Sequence, residues 1–371
     1  MINLLKYEWK KFLYNKKNKI VFLLAFCSFI GYASFHIYQN HIFMQTKTEQ
    51  FYKIRQNVQY DIENMSNYQF LAEKTEDKQY YGEILEYFNK LYNSANDLYR
   101  DYSNSTNSLN DLIRWNELLI EGKTKKYEIN MYTNDSLEQL KKNKNELYYL
   151  KQNHIPIKES PYVCLSSNLI VNLSKFNLGF VILIFYFLLI FDLFSEFDCG
   201  AYKILYSSKN NFLGIVLSKV FFSILILLLL ILMLALLVCL NSFVFGLGNM
   251  QYPYSIGTNI YQESTIIFYT FCIIASMCLF LIGVYTLISC LFKFTTTSVV
   301  LTITIYLMIN LFGEYLSKFN YLIGFLNIDL FSMIQQNKVV LTCLMDISIL
   351  VVCIILSTLI IQKKDLVVRG D

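Results

Sequence analysis

Nine cysteines, three histidines and one Gly-Lys-Thr triplet are the residues of this 371-residue chain whose types could support metal, redox or phosphate chemistry. Their spacing argues against each. Cys27, Cys239, Cys272, Cys278, Cys290, Cys343 and Cys353 lie in or beside apolar runs, and Cys199 falls in a short segment between two of them. Cys164 alone belongs to the polar part of the chain, so that part has no internal disulfide partner, and all nine read as small apolar fillers. No CxxC occurs, and His36, His41 and His154 do not meet cysteines at ligand spacing. Gly122-Lys123-Thr124 ends like a phosphate-binding loop, but such a loop needs a glycine five residues before the Gly-Lys pair, where this chain has Glu117. No Gly-rich dinucleotide loop, HExxH or GxSxG is present. The chain is therefore expected to carry no catalytic residue, no metal and no cofactor of its own.

The elements around these residues explain the pattern. Hydrophobic residues make up 55% of the chain and charged residues 16%, against about 25% charged in soluble domains; the mean hydropathy is +0.38. The charges are segregated: residues 40 to 175 hold 17 basic and 18 acidic side chains of the 60 in the chain. Elsewhere the sequence falls into runs of about 20 apolar residues, the length a helix needs to cross a bilayer. Six spans are expected: 20 to 38, 175 to 195, 220 to 247, 264 to 292, 294 to 313 and 339 to 362. Asp192, Lys219 and Asp346 fall near their ends, where long side chains can reach headgroups. The charge-free interiors of spans three to five count against an ion-coupled transporter.

Lysine and arginine in short loops set orientation. With the N-terminus inside, the inner segments carry 13 and the two short outer loops carry Lys318 and Lys338 alone. Both termini are thus expected in the cytoplasm of a plasma membrane, and residues 40–174 outside. The first apolar run is long for a cleaved leader and is read as a retained span. Residues 1–18 form an amphipathic segment, with Ile2, Leu5, Trp9, Phe12 and Leu13 at helical spacing and lysines elsewhere on the wheel, suited to an anionic lipid surface. The outer insert reads as a helical hairpin or small bundle. Tyr81, Leu85, Phe88, Tyr92, Ala95, Tyr99 and Tyr102 form a heptad stripe. Ser108 with Asp111, and Asp135 or Ser136, are expected to start further helices, the second of which ends before Pro156. Residues 241 to 263 are read as re-entering the membrane beneath this domain.

Three segments in this order resemble the type-2 permeases of ATP-binding-cassette (ABC) exporters. Leu4-Leu5-Lys6-Tyr7-Glu8-Trp9-Lys10-Lys11 resembles that family's connecting helix. Phe194-Ser195-Glu196-Phe197-Asp198-Cys199-Gly200-Ala201-Tyr202-Lys203, followed by Ser218-Lys219, is similar to its loop between spans two and three. Lys363-Lys364-Asp365 resembles its basic exit. The resemblance implies an all-α integral membrane protein with six transmembrane helices (the first at 19–39, the others within 175–371), an N-terminal amphipathic connecting helix and a helical extracellular domain. It implies that residues 196 to 212 couple to a separate ATPase subunit that binds ATP and Mg, through Glu196, Asp198, Gly200, Tyr202 and Lys203, with Tyr7, Glu8, Trp9 and Phe12 on the connecting helix. Glu196 would pair with a basic group of the ATPase or with the connecting helix. The implied path is lined by Phe180, Phe187, Phe191, Thr302, Tyr306 and Asn310, and aromatic lining suits a hydrophobic or amphipathic cargo such as a toxin or antimicrobial peptide. The implied partners are the ATPase, a second copy or similar permease, and lipid, with no nucleic acid. The family's first outer loop is short, so a 135-residue insert is a departure from it. The alternative from another class is a non-transporting sensor or immunity protein that captures a peptide or cell-wall ligand with this domain.

Overall fold

The computed structural model describes residues 2–104, 108–158, 160–175, 179–198, 212–256, 259–292, 294–316, 333–334 and 338–368. Helix dominates. In chain order the helices are α1 (Ile2–Tyr14), α2 (Lys16–Leu71), α3 (Thr75–Ser103), α4 (Leu109–Thr124), α5 (Leu137–Gln152), α6 (Ser166–Lys175), α7 (Gly179–Ile190), α8 (Phe212–Phe245), α9 (Glu263–Phe292), α10 (Thr295–Leu316) and α11 (Val339–Val368). A 3-10 turn (Phe191–Phe194) follows α7, and strands β1 (Pro253–Ile256) and β2 (Asn259–Gln262) precede α9. Among the described residues, four helical segments are long and apolar enough to cross a membrane: one within α2, then Leu213–Phe245, Glu263–Phe292 and Val339–Gln362.

The chain divides into two compact units, one of residues 1–32, 170–247 and 265–371, the other of 33–169 and 248–264. In the first, helix surfaces are apolar on the side that faces away from the protein. Along α8, Phe221, Leu225, Leu228, Leu232, Leu236, Leu240 and Phe243 are all exposed, a stripe at steps of three and four residues. The opposite face, with Lys219, Ser223, Ile226 and Leu230, is buried. Along α11, Val340, Leu344, Ile347, Val351, Ile355 and Leu359 repeat the pattern. A soluble protein does not leave such stripes bare, and they fit lipid tails. Helices approach closely where side chains are small: a Cβ on Gly283 of α9 would lie 3.0 Å from the Leu350 Cα of α11.

The second unit has its own core. Phe51, Ile54 and Val58 of α2 meet Ile84, Tyr87, Phe88, Leu91, Ala95 and Leu98 of α3, with Trp115, Leu118 and Leu119 of α4, Ile129, Tyr132 and Leu140 closing it. The tyrosine stripe expected on α3 is displaced from this core. Of its seven residues only Phe88 and Ala95 are buried, while Tyr92, Tyr99 and Tyr102 are half-buried at the margin. The centre belongs to Ile84, Leu91 and Leu98, which repeat at the same heptad interval on a neighbouring row. A hydroxyl must keep a polar partner, and the tyrosines of this stripe border the dry centre and pack on other rings: Tyr102 lies on Phe51 with centroids 5.4 Å apart, and Tyr99 meets Tyr52 at 5.9 Å. Ser136 caps α5, its Oγ accepting from the Gln139 amide at 3.2 Å. Ser108 precedes α4, but its side chain makes no cap; its amide donates to Asp101 instead, at 3.3 Å.

Within residues 241–263 lie the strands β1 and β2. They form an antiparallel hairpin, with Pro253 opposite Gln262 and Ile256 opposite Asn259, that packs on α5. Tyrosine and isoleucine favour the pleated backbone, and a hairpin gives the polar backbone groups partners. It is held by Lys158, whose side chain is 7% exposed and whose Nζ lies 2.7 Å from Glu263 and donates to the Tyr254 hydroxyl at 2.9 Å. The Tyr252 and Tyr254 rings flank the ammonium at 4.3 and 5.1 Å.

Candidate functional site

Helix α1 is amphipathic, but its buried edge is narrower than its apolar stripe. Phe12 is 6% exposed, set edge-on to Phe22 and Phe222 with centroids 5.9 and 5.7 Å apart. Ile2, Tyr7, Trp9 and Leu13 remain exposed, although the Trp9 ring touches those of Phe12 and Phe222. Asn15 separates α1 from α2: its Oδ1 accepts from the Lys17 amide at 2.9 Å, as an N-cap does.

The other residue on the buried edge is charged. Glu8 is 4% exposed, and its Oε1 accepts from Lys219 Nζ at 2.7 Å. Lys219, 3% exposed, rises from α8 and also donates to Glu196 Oε2 at 2.9 Å and to the Leu193 carbonyl. Glu196, 5% exposed, receives Lys11 Nζ on its Oε1 at 2.7 Å. Two carboxylates and two ammoniums thus close a neutral cluster that joins α1, α8 and the turn after Phe194. Burial raises the Glu196 pKa, but Lys219 and Lys11 outweigh it, and the carboxyl is held below its ordinary value. Buried ions persist only when paired in this way. Beside the cluster, Asp192 pairs with Lys17 at 2.7 Å and accepts from Asn15 at 2.5 Å.

The same turn is fastened on its other sides. Asp198 accepts from the amide of Thr295, the first residue of α10, at 2.9 Å, and from the Thr295 hydroxyl. Acceptance of a helix's first amide by a carboxylate also complements the helix dipole. The Tyr285 hydroxyl of α9 donates to the Phe191 carbonyl at 2.6 Å, and the Phe194 ring stacks on Phe197 and meets Tyr285. A push on residues 191–198 would therefore be felt by α1, α8, α9 and α10 together.

Of the connecting-helix residues named from sequence, Glu8 and Phe12 enter the site, Trp9 borders it, and Tyr7 is 48% exposed. Glu196 and Asp198 face inward, and both carboxylates are engaged within the chain. Of the two roles open to Glu196, pairing with α1 is the one observed. Gly200, Tyr202 and Lys203 lie outside the described residues, as do the side chains of Phe180, Tyr306, Asn310, Lys363, Lys364 and Asp365. Phe187 is buried with its ring 5.5 Å from Tyr285, and Thr302 is buried, its hydroxyl donating to the Ser298 carbonyl at 2.7 Å. Phe191 is half-buried, with Lys17 Nζ 4.7 Å above its ring. These three pack within the chain.

Lys11 and Lys219 stood in the motifs read from the sequence without being given a role in pairing, and Thr295 was not named there. Lys219 carried a signal: a lysine among apolar residues needs an anionic partner. Nor does it snorkel; it and Asp346, 1% exposed in α11, are buried rather than turned to headgroups. A cleft beside the cluster is bordered by Glu8, Lys11, Asn15, Asn18, Asp192 and Phe222, and its volume of about 20 Å³ is far below the roughly 300 Å³ at which ligand pockets begin. Among the described residues no three His, Cys, Asp or Glu side chains come together to hold a metal, and Gly122-Lys123-Thr124 ends a helix rather than forming a loop. No protein-family model matches this chain, and no curated protein or solved structure matches it either.

Proposed function

We propose that this chain is the membrane subunit of a bacterial ABC exporter, with six spans in the plasma membrane, both termini in the cytoplasm and residues 40–174 outside. A separate ATPase subunit binds ATP and Mg and docks on residues 196 to 212. A second copy, or a similar permease, completes the path for a hydrophobic or amphipathic cargo. The observation that supports this most is the fastening of the turn that opens that segment. A short loop transmits force only when rigidly joined to the spans beside it, and Glu196 and Asp198 tie this one to α1, α8 and α10. The chain's part is mechanical: no step of ATP chemistry is assigned to its residues.

The test is to express the chain with the genes that neighbour its own, isolate it in detergent, and measure ATP hydrolysis in the preparation. A stoichiometric ATP-hydrolysing subunit is expected, lost on Gly200→Asp or Lys203→Glu without a change in the melting temperature. A folded chain accompanied by no ATPase would overturn the proposal. The alternative is a sensor or immunity protein, favoured by the size and separate core of the second unit. Ligand capture there would survive both substitutions.

A further inference from the structure

The hairpin of α2 and α3 outruns the bundle that supports it. Val58 is the last buried residue on α2 and Ile84 the first on α3; none of residues 59–83 is buried. At 1.5 Å per residue, α2 projects about 20 Å past Val58 to its end at Leu71. The arm is built, not frayed. Its helices come close enough that a Cβ on Gly82 would lie 2.9 Å from Gln69 Nε2, and the Tyr81 ring packs tilted against Tyr68 and edge-on to Tyr80, with centroids 5.8 and 5.6 Å apart. Yet it leaves large apolar groups bare: Tyr60, Tyr68, Tyr80, Leu71 at 70% exposure and Phe70 at 87%.

Charge says what could cover them. Residues 59–83 carry six acidic and two basic side chains, whereas the rest of 40–175 carries 12 acidic and 15 basic. Asp61 is engaged by the Tyr132 hydroxyl, but Glu63, Glu73, Glu76 and Asp77 are exposed and form no ion pair among the described residues. Two such arms would repel one another, and an anionic lipid surface would repel either. A partner with spaced lysines or arginines and an apolar face meets both features: its cations reach the carboxylates and the tyrosine faces, and its apolar side chains cover Phe70 and Leu71.

We propose that the distal arm of α2 and α3 is a docking site for a cationic amphipathic peptide. The proposal does not require the exporter function, because binding at the arm is independent of any ATPase. It is tested on the full chain in nanodiscs of zwitterionic lipid, with empty nanodiscs as the blank. The probe is a fluorescent helical peptide of leucine and lysine, compared with a leucine and glutamate twin. Saturable binding of the lysine peptide alone is expected, weakening as salt rises. The quadruple variant Glu63→Gln, Glu73→Gln, Glu76→Gln, Asp77→Asn and the pair Phe70→Ser, Leu71→Ser should each weaken it roughly tenfold or more, with unchanged melting because all six side chains are exposed. Equal binding by the arm variants, equal binding of the glutamate twin, or dimerisation through Phe70 and Leu71 in place of peptide binding would overturn it.

Discussion

Lys219 is the residue on which the buried cluster depends, because it reaches both Glu8 and Glu196 at hydrogen-bond distance, 2.7 and 2.9 Å, whereas Lys11 is 2.7 Å from Glu196 but 3.9 Å from Glu8. Lys219→Met would leave two carboxylates facing each other with only Lys11 nearby. Removing one member of a buried ionic group costs about 3–5 kcal/mol, most of it from the charge left behind. Lys219→Met should therefore lower the melting temperature of the detergent-purified chain sharply, and adding Glu8→Gln should restore part of the loss, since the double variant buries one fewer unpaired charge. If the double variant is no more stable than the single one, the cluster is not electrostatically coupled. Acid tests the same group. The folded Glu196 pKa is depressed, so its stabilising contribution is whole above the ordinary carboxylate value, about 4.3. That contribution is lost as pH falls from there through the lower folded value. The stability difference between wild type and Glu196→Gln should then shrink across this window and stay constant above it.

At the scale of elements, the sequence resolved length and period better than rotation. Runs of apolar residues located the long helices in α2, α8, α9 and α11 because lipid demands length and little else. The core face of α3 was misplaced by one row because two adjacent rows share a heptad interval, and sequence does not say which is drier. The hairpin at 253–262 was missed because its apolar and polar residues fit a re-entrant loop equally well. The charged cluster was half legible: Glu8, Lys11, Glu196 and Lys219 all stood in the motifs, but which carboxylate meets which ammonium emerges only when positions about 200 residues apart meet. Gly122 shows the same limit. It read as a failed phosphate loop, but a Cβ there would come 2.3 Å from the Tyr87 hydroxyl and 2.9 Å from Ile129. That hydroxyl is fixed by its bond to the Leu118 carbonyl at 3.0 Å, so it cannot yield freely. Gly122→Ala should destabilise the second unit by about 1–3 kcal/mol, as overpacking does, observed as faster hydrogen exchange in α3 and α4. Exchange unchanged from wild type would mean that Tyr87 moves aside at no cost.

At the scale of the whole molecule, the chain builds the second unit from two separate stretches, 33–169 and 248–264. The shorter stretch has only a two-stranded hairpin of its own, and such a hairpin is marginal unless something anchors it. Lys158 supplies that anchor from the longer stretch, reaching Glu263 and Tyr254 while the Tyr252 amide-linked turn is closed by the Glu263 amide donating to the Tyr252 carbonyl at 2.9 Å. Glu263 is also the first residue of α9, so the same ion pair fixes where that helix begins. Lys158→Met would strip a fully buried carboxylate of its cation, a loss of several kcal/mol concentrated on residues 250–264. The core of Phe51, Phe88, Leu91 and Trp115 lies in the longer stretch and makes no use of Lys158. Hydrogen exchange should therefore rise in the hairpin and the first turn of α9, while α3 and α4 keep their protection. Lys158→Met with Glu263→Gln should recover much of it, because the buried group is then neutral. Uniform loss of protection across α3, α4 and the hairpin would instead mean that the two stretches unfold as one, and that the ion pair anchors the entire unit.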